Sequence, residues 1–137
     1  MQERSTHNIV KLSDTAMELS TPAEDIRGRK VVDANGEELG EVDDLMIDDV
    51  EKKVRFIRVA TGGFLGLGAT KFLIPVDAIA RVSGDTVHVN RNREHVAAGP
   101  VYDPDLVKPD YYERVYGHYG VAPFWAGGYT YPAYPFF

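Results

Sequence analysis

Residues 30–42, KVVDANGEELGEV, set two short apolar runs on either side of Asn35-Gly36. That dipeptide takes two positive φ values readily, and between extended apolar runs it predicts a tight hairpin, out through Val31 and Val32 and back from Leu39. In the continuation LGEVDDLMIDD (39–49) the apolar positions Val42, Leu45 and Ile47 change parity across Asp43-Asp44. Side chains alternate faces along a strand, so this change predicts one extra residue there, a bulge. KVRFIRVAT (53–61) alternates, with Arg55, Ile57 and Val59 on one face and Val54, Phe56, Arg58 and Ala60 on the other. KFLIPV (71–76) and DTVHVN (85–90) read as further strands, with a turn at Ser83-Gly84-Asp85 between them. Upstream, Thr21 as cap, Pro22 at the first helical position, Glu24 three residues after the cap and Gly28 as terminator predict a single helical turn. Five to six short strands, tight turns and no long helix predict an all-β fold, a small antiparallel barrel with short helical turns.

Composition bounds what such a barrel can do. A chain of 137 residues that is 44% hydrophobic fits one compact domain plus extensions. Residues 1–20 form a polar N-terminal extension in which Ser13 can cap a turn or two of helix, residues 21–105 the barrel domain, and 106–137 an aromatic tail. The absence of cysteine excludes thiolate catalysis, a disulfide framework and cysteine-ligated metal sites. A net charge of −6 offers no attraction to a phosphate backbone, so a nucleic-acid partner is not expected. No apolar run approaches the length of a spanning helix and no signal-peptide core opens the chain. A cytoplasmic protein without an integral membrane segment is the expectation, with peripheral membrane association left open.

The glycine-rich stretch GGFLGLGATKFLIP (62–75) evokes a phosphate cradle and fails its spacings. A Walker A loop needs lysine directly after the last glycine; here Ala69 and Thr70 intervene before Lys71. The dinucleotide fingerprint fails too, because Lys71 stands where a third glycine belongs and a strand follows instead of a helix. The stretch reads as a corner of the barrel, with Phe64, Leu65 and Leu67 plugging its end or standing exposed. DANGEELGEVDD resembles a calcium loop only superficially, since its glycine is fourth and not sixth. The acidic run from Glu37 to Glu51 reads as a solvated face with edge charges. His7, His88, His95 and His118 form no ligand spacing, and His88, between Val87 and Val89, is expected to point outward. With no nucleophile elbow either, neither catalytic residues nor a cofactor or metal site is expected.

From Gly99 onward lie all eight tyrosines, the one tryptophan and six of the eight prolines. Pro109 can start a short helix on which Tyr112, Val115, Tyr116 and Tyr119 recur at helical spacing, ended by Gly117 or Gly120. Beyond it, proline and glycine prevent regular structure. Two readings stay open: the tail wraps its own barrel and completes a core too small alone, or it presents a protein-binding or self-association surface. The candidate interaction residues are Phe64, Leu65, Leu67, Tyr111, Tyr112, Tyr116, Tyr119, Phe124 and Trp125.

DIRGRKVVDANGEELGEVDDLMID, then VRFIRVATGGFLGLG, FLIPVDAI and VHVNRNREHVAAGPVYDPD together resemble the PRC-barrel family, over about residues 23 to 105 and along the whole strand order. The family is found in the cytoplasmic part of the photosynthetic reaction-centre H subunit and in the C-terminal half of the ribosome maturation factor RimM. PVYDPDLVKPDYYERVYGHYG is similar to the segment that follows the barrel in H-subunit-like and free-standing members. The resemblance implies a stand-alone binding module, an adaptor that docks on other proteins and forms a homodimer, with no catalytic residues carried over. It also implies two alternatives: a ribosome-assembly factor gripping a basic ribosomal protein through the acidic hairpins, or a soluble H-subunit relative aiding photosynthetic complex assembly or proton uptake.

Overall fold

The computed structural model describes residues 9–14, 24–61, 70–108 and 110–136. The stretch 62–69, with Phe64, Leu65 and Leu67, lies outside the described residues, as do the Thr21-Pro22 cap and the helical turns expected after Ser13. Among the described residues seven strands form one sheet: β1 (Ile9–Lys11), β2 (Lys30–Val32), β3 (Glu38–Asp48), β4 (Val54–Ala60), β5 (Lys71–Pro75), β6 (Ile79–Ser83) and β7 (Thr86–Val89). Their hydrogen-bonded order is β5-β4-β3-β2-β7-β6, with β1 paired to the far half of β3. The helices α1 (Arg93–Ala97) and α2 (Tyr111–Tyr119) follow.

The hairpin between β2 and β3 forms where Asn35-Gly36 places it, by a different turn. Gly36 has positive φ, at 83°, and Asn35 does not. The cause is Asp33, whose buried carboxylate accepts from the amides of Asn35 and Glu37 at 2.9 and 2.8 Å and so folds the chain into an aspartate-capped loop. Its other oxygen accepts from the amide of Arg93 at 2.9 Å, tying the hairpin to the start of α1. That helix, which the strand pattern did not announce, is capped by Asn92 accepting from the amide of His95.

The bulge at Asp43 is present: Val42 faces Val59 and Asp44 faces Arg58, leaving Asp43 without an opposite. A second shift lies on the partner strand, where Met46 faces Phe56 and Ile47 faces Val54, so Arg55 is the extra residue. Alternation therefore fails to describe β4, whose first four residues are all buried. Gly40 sits where β3 passes close to β4; with φ at 151°, a Cβ there would lie 2.0 Å from the carbonyl oxygen of Ala60.

Three expectations are corrected. β2 and β7 run parallel, because the 3-10 turn Val76–Ala78 and the β6–β7 hairpin return the chain to the far side of β2. The sheet is open, since no ladder joins β5 to β6 among the described residues. Within the polar N-terminal extension, residues 9–11 form a strand that was not expected: β1 adds to β3, Leu12 enters the core, and Ser13 donates its amide to Asp44 at 3.2 Å. The open edges are covered. Tyr102 donates its amide to Lys71 of β5 at 2.8 Å, and Val82 of β6 donates to the carbonyl of Phe136 at 3.1 Å.

Candidate functional site

One face of the sheet is occupied by the chain's own C-terminal aromatics, and Arg55 is at its centre. The bulge turns this side chain out of the strand alternation and buries it, at 2% exposure. A buried guanidinium needs a counter-charge. Asp48, at the end of β3, accepts from Arg55 Nε at 2.6 Å and also from the amides of Val50 and Glu51 at 3.1 and 2.6 Å, while Glu51 pairs with the guanidinium Nη2. The two faces of the guanidinium plane remain for aromatic rings. Its central carbon lies 4.2 Å from the ring centre of Phe124, 5.4 Å from Tyr131 and 6.0 Å from Tyr129.

Three tyrosine hydroxyls fix the strap over this centre. Tyr129 donates to Asp77 at 2.8 Å, Tyr131 to the carbonyl of Val54 at 3.1 Å, and Tyr134 to the carbonyl of Glu24 at 2.5 Å. Burial pushes the carboxyl of Asp77 above its ordinary range, although the Tyr129 hydroxyl and Arg55 favour its charged form. With Phe136 on the edge of β6, residues 124–136 run from β4 across the 3-10 turn to β6.

Helix α2 supplies the floor beside the strap. Asp110 precedes it, and Gly120, at φ 69°, ends it in the left-handed conformation. Tyr116, 1% exposed, packs on Phe56 at 5.0 Å and meets Trp125 edge-on at 5.7 Å. Tyr112 packs on the same Phe56 at 5.5 Å, and Phe124 and Trp125 meet at 5.1 Å. At the other end of α2, His95 and His118 stack at 4.2 Å, each ring's Nε2 donating to the other's backbone carbonyl, at 2.8 and 2.6 Å. A second ion-pair group lies where Asp43 projects from its bulge: Arg58 Nε donates to it at 2.8 Å and Lys71 approaches to 2.8 Å. Burial pushes Asp43 up, but the two cations outweigh it and hold the carboxyl below its usual range.

Of the residues singled out from sequence, Tyr112 and Tyr116 come together on Phe56, and Tyr116 in turn meets Phe124 and Trp125. Tyr111 and Tyr119 flank them, Tyr111 against Tyr102 at 6.1 Å and Tyr119 against the histidine pair. Tyr111, Tyr116 and Tyr119 are buried within the chain, whereas Tyr112, Phe124 and Trp125 are half-buried and keep accessible surface. Sequence reasoning missed Arg55, Asp48 and Asp77, and did not single out Tyr129, Tyr131 and Tyr134. The available signals were an arginine on an otherwise aliphatic strand face beside Ile57 and Val59, and tyrosines at alternate positions 129 and 131. His88, expected outward, is half-exposed between buried Val87 and Val89.

Among the described residues no helix is long and apolar enough to cross a membrane. No curated protein matches the chain. Its residues 22–96, more than half of the 137, match the model of the PRC-barrel domain, and with the strand order and bulged β3–β4 pair described above the chain belongs to the PRC-barrel family.

Proposed function

We propose that this PRC-barrel protein is a non-catalytic adaptor, a cytoplasmic interaction or assembly module that binds protein and self-associates. The observation that carries the reading is a half-buried aromatic surface: Phe124, Tyr129 and Tyr131 set around a charge already neutralised from below by Asp48, with Trp125 against Phe124. Rigid aromatic rings over a desolvated centre are the usual anchors of protein interfaces, because they present much area for few rotamers. The ionisable groups of this face are engaged with one another or with backbone: Arg55 with Asp48 and Glu51, Asp77 with Tyr129. They serve as scaffold for the rings. The test is solution mass of the full chain over a concentration series, alongside capture from native lysate with the wild type and with Trp125→Ala. Self-association above 15.2 kDa and a capture lost with Trp125 are expected. A monomer at every concentration that captures nothing contradicts the reading.

A second reading is favoured by the acidic edge. Glu37, Glu38, Glu41 and Glu51 are all exposed on the two hairpins that flank β3. A RimM-like grip on a basic ribosomal protein through these groups would weaken steeply with salt, since exposed charges are screened beyond about 8–10 Å at physiological ionic strength. Salt-insensitive capture would exclude it.

A further inference from the structure

The geometry points to the face beneath the tail as a peptide groove, filled in cis by residues 121–136 and open to the same segment of a second copy in trans. This rests on reading the chain as a self-associating module and names the surface that would do it. The receptor groups are Arg55, the carbonyls of Val54 and Glu24, Asp77, and the amide of Val82. All lie between residues 24 and 82, inside the family domain; the rings, hydroxyls and carbonyl of the strap that meet them lie between Phe124 and Phe136, outside it. Receptor and occupant are thus separate segments. The occupant is held as a peptide is held: hydroxyl tips on fixed backbone atoms, one main-chain bond at a sheet edge, and rings on a cation.

Two further features make exchange between copies inexpensive in free energy. Residues 121–136 contain no helix or strand, so departure breaks no element of secondary structure. The helix before them stays behind, because Tyr116 still packs on Phe56 of β4, Val115 and Tyr119 are buried, and Gly120 closes α2; the amide of Val121 bonds the carbonyl of Tyr116 at 3.2 Å, so the released part begins after Val121. Ala122 is exposed and precedes Pro123, which places the hinge between an anchored helix and a releasable strap. The bonds that break in cis re-form in trans with the same partners, so chain concentration and hinge geometry decide which arrangement is populated.

The test uses a fluorescent peptide of residues 121–136 and two full-length chains, the native one and the double variant Tyr129→Phe/Tyr131→Phe. The variant loses the hydroxyls that reach Asp77 and Val54 and keeps every ring, so its fold, checked by circular dichroism, is retained while the tail is loosened. A groove filled in cis in nine molecules of ten weakens apparent affinity about tenfold, so the peptide should bind the variant about tenfold more tightly than the native chain. Arg55→Leu in the same double-variant background, measured on chain that the same circular dichroism shows to be folded, should abolish that binding. Equal affinity for the two chains, no binding to either, or binding indifferent to Arg55 overturns the groove. The outcomes separate from the broader reading: a chain that self-associates but ignores the peptide keeps the adaptor function and loses this site, and a monomeric chain that binds the peptide with this preference does the reverse.

Discussion

Arg55 carries a full charge to a place that water does not reach, and its neighbours explain why it stays. Asp48 neutralises it along one edge, and Phe124, Tyr129 and Tyr131 surround it with aromatic faces. Replacing it by alanine would leave Asp48 buried without a counter-ion and remove the cation beneath three rings. Deleting one partner of a buried pair costs about 3–5 kcal/mol, so Arg55→Ala is expected to lower unfolding free energy by that amount in urea titration; a change below about 1 kcal/mol, the size of an exposed pair's contribution, would mean that the pair is not buried. The sequence announced an arginine on this strand but not its burial. Alternation assigned Arg55 the same face as Ile57 and Val59, and only the register shift against Met46 and Ile47, a property of two strands at once, sends it elsewhere. Asp33 is similar. The turn beside it was legible from Asn35-Gly36, whereas the part Asp33 plays in it and its bond to the amide of Arg93, 60 positions away, were not.

At the scale of elements, the β3–β4 pair holds the sheet together, and its close approach depends on a missing side chain. Gly40→Ala would set a Cβ 2.0 Å from the carbonyl oxygen of Ala60, a backbone atom that cannot swing aside, at a φ of 151° that side chains rarely adopt. Overpacking of this kind costs about 1–3 kcal/mol, and the upper end is expected here because the obstacle is main chain. A melting temperature unchanged in Gly40→Ala would show that β3 and β4 do not approach this closely. The strands themselves were legible: the hairpin, the Asp43 bulge and the alternation of β7 all follow from local period and turn chemistry. The parallel pairing of β2 with β7, the open join between β5 and β6 and the addition of β1 were not, because each depends on where a distant segment docks. The three residues of β1 carry too short a pattern to distinguish a strand from the polar stretch around them.

Over the whole molecule, the tail is the part that turns a small open sheet into a closed unit. Its aromatics cover a second face of β4, and its last turn lends a carbonyl to β6, which is why the first four residues of β4 are all buried. The sequence left open whether these rings wrap the barrel or stand apart from it, since composition gives their number and not their partner. Burial raises the pKa of every tyrosine hydroxyl in the chain above the ordinary 10.0, Tyr112 to about 12 and Tyr129, Tyr131 and Tyr134 in the strap further still. A group whose proton is held more tightly folded than unfolded contributes stability in full below the unfolded value and loses it as pH climbs toward the folded one. Alkali should therefore destabilise this protein from about pH 10 upward.

The docked strap is tested most directly by following tyrosinate absorbance and backbone circular dichroism together while pH is raised from neutrality. If the strap is seated on Arg55, Asp77 and Val82, none of the eight tyrosines ionises at the ordinary value; those of the strap ionise only as it lifts away, and Tyr111, Tyr116 and Tyr119 only with loss of the β signal. Three tyrosines ionising near pH 10 with the β signal intact would place Tyr129, Tyr131 and Tyr134 in solvent and contradict the account.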